Sequence, residues 1–158
     1  MLGFRRVVFL LSCFFGLSAF GADVEFLRVW PAWRTDESFE RIGEYFGRPE
    51  NTGREIVLRT EPTQRAGYYF LVRVKSATAL PGAKFTLSVI RPDHPEPNEF
   101  SFPASLAAKE TVFQLGLTGK AWPGGSEAHP VAWKLALVSA EGGVLAEYKS
   151  FLWEKPAR

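Results

Sequence analysis

The sequence has little of the chemistry that enzymes commonly use. Its 158 residues include one cysteine, Cys13, and two histidines, His94 and His129. It contains no Gly-x-Ser-x-Gly elbow, His-Glu-x-x-His helix, phosphate loop or dinucleotide fingerprint. We therefore predict no catalytic residues and no cofactor. A hydrolase with an unrecognised site is the weakest function considered, because no nucleophile pairs with a base at a readable spacing.

The N-terminal apolar run is too short to span a membrane. Residues 7–20 fall below the roughly 20 residues that cross a bilayer. Arg5 and Arg6 precede the run, and Ala19-Phe20-Gly21 supplies small residues where signal peptidase cleaves. We therefore expect a cleaved signal peptide over residues 1–21, an exported protein of the periplasm or the extracellular space, and no transmembrane segment in the mature chain.

The leader has a second interpretation. Leu10-Leu11-Ser12-Cys13 is similar to a lipobox, in which the cysteine becomes a lipidated N-terminus. Cleavage there would shorten the apolar core to about six residues, below the usual ~7 to 15. Cleavage near Gly21 is therefore the main prediction, and a lipoprotein anchored through Cys13 is the alternative. Cleavage near Gly21 leaves no cysteine and hence no disulfide.

The chain also lacks a strong net charge. It carries 19 basic and 17 acidic residues. Loss of Arg5 and Arg6 with the leader would leave equal numbers of each sign. We therefore predict no nucleic-acid partner, because nothing would draw a polyanion to the protein as a whole.

What the chain does have is short apolar-alternating runs separated by Pro, Gly and Asn, a pattern typical of strands and turns. In GYYFLVRVK (67–75), Tyr68, Phe70, Val72 and Val74 share one face. Similar runs cover residues 24–30, 55–60, 84–90, 111–117, 131–139 and 144–153, and a short run at 99–102 would make an eighth. This spacing predicts a mainly all-β fold, a two-sheet immunoglobulin-like sandwich of about seven strands forming one domain over residues 22–158.

Two local features are also predicted. Residues 139–143 contain two glycines and should join the last two strands in a hairpin, with a bulge near Lys149 or Ser150 because Phe151 and Trp153 fall on the opposite phase. Apolar residues at helical spacing predict one short helix near the N-terminus, at about residues 36–46.

Four segments carry a resemblance: GYYFLVRVK, FQLGLTG (113–119), AWKLALVS (132–139) and SFLW (150–153). The combination resembles small exported bacterial proteins of uncharacterised function with an immunoglobulin/fibronectin III-like β-sandwich. The resemblance implies a fold and an exported location. It implies no catalytic residue.

Tryptophan is the residue type that points to a ligand. In Trp30-Pro31-Ala32-Trp33-Arg34, a polyproline II path would place Trp30 and Trp33 on one side beside Arg34, and Trp122 lies in a predicted loop. Exposed indoles can stack on sugar rings, so these four residues are the candidate ligand-binding set. Packing into the core is the commoner use of tryptophan and is the favoured interpretation of these three tryptophans, as it is of Trp133 and Trp153.

No metal site is predicted. Asp93, His94 and Glu96 carry ligand atoms, but three prolines make this segment a stiff strand connection, and no other ligand motif accompanies it. His129 precedes a proline and is expected to be a loop residue.

These observations favour a non-catalytic exported β-sandwich module for protein–protein interaction, or with an accessory role in the bacterial envelope, whose partner is an envelope protein. The alternative is a carbohydrate-binding module that uses exposed tryptophans to bind a glycan. A sheet edge such as residues 99–102 could also accept a partner strand without any side-chain motif.

Overall fold

The computed structural model describes residues 23–39 and 55–154, which form two packed four-stranded β-sheets. Within these ranges the strands are β1 (Val24–Arg34), β2 (Glu55–Arg59), β3 (Gly67–Ser76), β4 (Leu80–Arg91), β5 (His94–Leu106), β6 (Glu110–Thr118), β7 (Ala132–Val138) and β8 (Val144–Lys149). The first sheet has the order β1-β3-β6-β2 and the second has the order β5-β4-β7-β8. The predicted mainly β, two-sheet fold is confirmed.

The core lies between the sheets and is built from the alternating apolar positions. Phe70 on β3, Leu115 on β6, Phe85 on β4 and Leu135 on β7 are fully buried. The rings of Phe85 and Phe113 meet edge to face across the two sheets, with their centroids 4.9 Å apart. Burying each such side chain contributes roughly 1.5 to 3 kcal/mol, so these four central strands dominate the stability of the sandwich.

The described residues contain eight strands where about seven were expected. The additional one is β5, which extends the short run at 99–102 to residues 94–106. Its prolines Pro95, Pro97 and Pro103 are tolerated because β5 lies at the edge of the second sheet, where strand N–H groups can remain unpaired.

The edge strand β2 runs parallel to β6, whereas the other strand pairs of the described residues are antiparallel. The fully buried Thr118 at the end of β6 fixes the turn that follows β2. Its hydroxyl accepts a hydrogen bond from the Glu61 N–H at 2.9 Å, and its own N–H donates to the Thr60 hydroxyl at 2.9 Å. These hydrogen bonds hold β2 in its parallel register with β6, although the two strands are far apart in the sequence.

The helix predicted at 36–46 is not an α-helix in its described part. Asp36–Phe39 form a 3-10 helix in which the Ser38 N–H donates to the Thr35 carbonyl at 3.2 Å. Residues 40–46 lie outside the described residues. Within the described ranges the α-helix is α1 (Phe151–Glu154), at the C-terminal end of the chain.

The hairpin between β7 and β8 is confirmed. Gly142 has a φ of 91°, a conformation that glycine adopts without steric cost, and the Ser139 N–H donates to the Gly143 carbonyl at 2.8 Å. The register irregularity lies opposite Val138, near the turn, and not near Lys149 as predicted.

The predicted strand over 144–153 is too long. After β8 the chain leaves the sheet at Ser150, whose hydroxyl accepts a hydrogen bond from the Trp133 N–H at 2.9 Å. The Ser150 N–H in turn donates to the Trp133 carbonyl at 2.9 Å. Phe151 and Trp153 have the opposite phase because they belong to α1 and not to a bulged strand.

Candidate binding surfaces

Trp30 and Trp33 lie on opposite faces of the first sheet. The predicted polyproline II path is wrong, because β1 is a strand through both residues and pairs with β3. Side chains of a strand alternate between its two faces, so residues three apart diverge. Trp33 lies opposite the core residue Tyr68 and packs against the core, whereas Trp30 lies opposite Leu71 and is 52% exposed.

Trp122 is part of the core although it lies in a loop. Its side chain is 4% exposed, and its ring lies 4.6 Å from that of Tyr68. The indole Nε1–H donates to the Gly125 carbonyl at 3.1 Å, which satisfies its polar atom. Trp122 therefore closes one end of the sandwich and presents no open indole face.

Arg34 lies on the outer face of the first sheet, next to a covered area. Its guanidinium carbon is 5.7 Å from the centroid of the buried Phe39. Phe39 in turn packs on Tyr69 at 4.8 Å, and the Tyr69 hydroxyl accepts a hydrogen bond from Arg59 Nε at 2.6 Å. Gly116 lies beneath the Tyr69 ring, where a Cβ would collide with it. Aromatic packing thus fills the part of this outer face around Phe39 and Tyr69, which we call the covered half, and the part that holds Arg28 and Trp30 is the open half.

The structure does not bring the four predicted residues together. Trp33 and Trp122 face the core, Arg34 borders the covered half of the outer face, and Trp30 alone has an open aromatic surface.

Trp30 has a neighbour that sequence reasoning missed. The guanidinium carbon of Arg28 lies 4.2 Å from the centroid of the Trp30 ring. The two residues are two apart in a strand, so they share a face, and this spacing is the signal that could have identified the pair. Arg28 and Trp30 form an exposed cation–π pair on the open half of the outer face.

A second surface lies at the C-terminal end of the chain. We define the C-terminal patch as the exposed apolar side chains of Val131, Tyr148, Phe151 and Leu152. Phe151 is 83% exposed, the highest fraction among the large apolar side chains of the described residues. Tyr148 anchors the patch to the sandwich, because its ring contacts those of Phe26 at 6.4 Å and Trp133 at 5.9 Å.

One residue of the C-terminal patch, Tyr148, lies on an edge strand, whereas α1 contacts β7. In the described residues β8 is hydrogen bonded to β7 on one side and has no strand partner on the other. Exposed aromatic side chains beside an unpaired strand edge are typical of surfaces that bind other proteins. Sequence reasoning missed this patch because Phe151 was assigned to a strand.

His94 makes a local contact within its hairpin. His94 lies in the β4–β5 hairpin with its Nδ1 3.1 Å from the Glu96 carbonyl oxygen, while Asp93 pairs with Arg91 at 3.1 Å. No group of three or more His, Cys, Asp or Glu in the described ranges could hold a metal ion.

His129 lies at the end that Trp122 closes. It is exposed, and its Nδ1 is 3.3 Å from the Tyr68 hydroxyl oxygen. Burial raises the pKa of Tyr68 above its ordinary value, so the phenol stays protonated and its hydroxyl can donate to His129. The contact links the Trp122 loop to β3.

Comparison with protein-family models and with curated proteins finds no match. The resemblance of its strand segments to small exported proteins therefore stays a prediction. None of the helices in the described ranges has the length and apolar character needed to cross a membrane.

Proposed function

We propose that this protein is a non-catalytic, exported binding module of the bacterial envelope whose partner is another protein. The observation that carries the proposal is the C-terminal patch, where Phe151 is 83% exposed and Tyr148 lies on the edge strand β8. Apolar groups in water cost free energy in proportion to their area, so a patch of this kind is stabilised when a partner covers it.

The strand order supports a finer description of the scaffold as immunoglobulin-like. The order β5-β4-β7-β8 corresponds to the C′-C-F-G sheet of such sandwiches, and β1-β3-β6 corresponds to A-B-E. β2 lies beside β6, where strand D lies in such sandwiches, but it precedes β3 in sequence and runs parallel to β6, which departs from that topology.

Photo-crosslinking tests the proposed function directly. A benzoylphenylalanine is introduced in place of Phe151 in the full-length protein, in the bacterial cells that produce it, with Lys84 on the second sheet as the control position. We expect one discrete adduct with a different protein at 151 and none at 84. Leu152→Asp should abolish the adduct because it places a charge in the apolar contact.

Three results would count against protein binding at this surface. They are an absence of adducts at 151, identical adducts at both positions, and an adduct of twice the protein's own mass, which would indicate self-association.

The exported location is tested by intact mass of the protein from the envelope fraction. A mature chain beginning at Ala22 is expected. A lipid-modified chain beginning at Cys13 would instead establish the anchored alternative, and an uncleaved chain would contradict export by either route.

A second function, glycan binding, is favoured by a different observation. Trp30 presents an exposed indole on the outer face of the first sheet, and exposed indole rings can stack on sugar rings. The predicted three-tryptophan surface is reduced to this one indole, so we propose a contact with one sugar residue at Trp30.

A further inference from the structure

The open half of the outer face of the first sheet holds two arginines directly opposite each other. The register of β1 and β3 places Arg28 opposite Arg73, and it places Trp30 opposite Leu71 in the next row. Directly opposed side chains on one face have their Cβ atoms about 4.5 to 5.5 Å apart. The two guanidinium groups and the indole therefore share one small area.

The charge of this pair is only partly compensated. Arg73 pairs with Glu110 at 3.3 Å, but both side chains are half-exposed, and solvent weakens such pairs. In the described residues Arg28 has neither an ion-pair partner nor a side-chain hydrogen bond. In the preceding row Lys75 lies between Glu25 and Glu110, and Glu110 also pairs with Arg73. The three cations and two carboxylates of the two rows leave one positive charge in excess, and Arg28, beside Trp30, is the cation without an ion-pair partner in the described residues.

The guanidinium of Arg28 lies over the Trp30 ring, and in the described residues no side-chain hydrogen bond occupies its donors. Its N–H groups lie in the plane of the guanidinium, where they can bind a carboxylate through two parallel hydrogen bonds. Like charges directly opposite each other on a sheet repel, and an anion bound between them would relieve the repulsion.

We propose that Arg28, Trp30 and Arg73 form a binding site for a uronic acid residue of an acidic polysaccharide. The sugar ring stacks on the part of the Trp30 indole that Arg28 leaves exposed, and its carboxylate is bound by Arg28 with support from Arg73. This inference rests on the second proposed function, glycan binding, and it names the class of glycan.

An acidic peptide fits the site less well. In the described residues β1 pairs with β3 on one side, so a peptide strand could pair only with its other edge, and it would then lie beside the face that carries Arg28 and Trp30 and not across it. The indole can stack on a sugar ring while the arginine guanidinium groups bind the carboxylate that the ring carries. An acidic peptide would use only the guanidinium groups and would leave the indole unused.

Affinity electrophoresis of the mature protein tests the proposal. The gels contain polygalacturonate, its methyl-esterified form, xylan or polyglutamate. The variants are Arg28→Gln, Trp30→Ala and the matched control Lys84→Gln, which removes an exposed cation from the second sheet. We expect retardation by polygalacturonate alone, about tenfold weaker binding for Arg28→Gln and Trp30→Ala, and unchanged binding for Lys84→Gln.

Other outcomes would overturn the inference in distinguishable ways. Equal binding of the esterified polymer would remove the role of charge and leave glycan binding in place. Stronger retardation by polyglutamate would assign the site to an acidic peptide. An equal loss in Lys84→Gln would show non-specific attraction. Binding to no polymer would overturn glycan binding as a whole and leave protein binding at the C-terminal patch untouched.

Discussion

Trp30 and Trp122 each precede a proline, yet they occupy opposite environments. Trp30 lies in an edge strand of the first sheet and is 52% exposed, whereas Trp122 lies in a loop and is 4% exposed. The loop residue is buried because its ring can pack on Tyr68 at the open end of the sandwich. The strand residue is exposed because alternation directs it away from the core.

The comparison shows that the local sequence around a tryptophan does not determine its role. Trp122 satisfies its N–H within its own loop and contributes to the core. Trp30 contacts Arg28 on the outer face and is not part of the sandwich core. We therefore expect substitutions at Trp122 to change stability, and substitutions at Trp30 to change binding.

The largest effect is expected for Trp122→Ala. Removing this ring leaves a cavity against Tyr68, and large aromatic-to-alanine changes in cores cost about 3 to 5 kcal/mol. Urea denaturation measures the free energy of unfolding. A loss below about 1 kcal/mol, the range of ordinary surface changes, would show that the loop does not pack on the core.

A smaller loss is expected for Gly116→Ala, which tests whether the covered half of the outer face differs from the half that holds Trp30. The added methyl would collide with the Tyr69 ring, and overpacking costs about 1 to 3 kcal/mol. Gly143→Ala is the control, because its Cβ would meet only the Ser139 hydroxyl at 3.6 Å. Equal midpoints of urea denaturation for the two variants would contradict close packing at Tyr69.

The pH dependence of stability probes the end that Trp122 closes. Because burial raises the pKa of Tyr68, the folded state holds this proton more tightly than the unfolded state does. The stabilisation is complete below the unfolded pKa of about 10 and is lost as the pH rises through the higher folded value. Tyr68→Phe should therefore lose less stability between about pH 9 and 11 than the wild type. Parallel pH profiles from urea denaturation would show that Tyr68 is not shielded.

The smallest stability effect is expected for Trp30→Ala. Its main described contact is the exposed cation–π pair with Arg28, worth about 0.5 to 1 kcal/mol. The midpoint of urea denaturation should therefore shift little. A loss as large as that of Trp122→Ala would mean that Trp30 is part of the fold and that it is not a free binding surface.

The interior of the sandwich could be predicted from the sequence because alternation is a direct consequence of strand geometry. Phe70, Phe85, Leu115 and Leu135 all belong to runs with clear period-two patterns. The extent of β5 could not be predicted, because its prolines are permitted only at an edge, and sheet order is not encoded locally. The end of β8 was missed because Phe151 fits a phase-shifted strand as well as a short helix.

The binding surfaces were harder to predict than the core. The candidate set rested on a polyproline II path for residues 30–34, but pairing of β1 with β3 imposes a strand and separates Trp30 from Trp33. Arg28 was overlooked because its contact with Trp30 can be inferred only when both residues are known to lie in strand β1. The pairing of Arg28 with Arg73 depends on the register of two strands distant in sequence.

Acrylamide quenching of tryptophan fluorescence tests the contrast between the two tryptophans most directly. The wild type is compared with Trp30→Phe and Trp122→Phe. Urea denaturation of each variant first establishes the conditions in which it is fully folded, and quenching is measured there. Quenching is expected to fall clearly in Trp30→Phe and not to fall in Trp122→Phe. A fall in Trp122→Phe with none in Trp30→Phe would contradict it and would move the candidate glycan site from the sheet face to the loop.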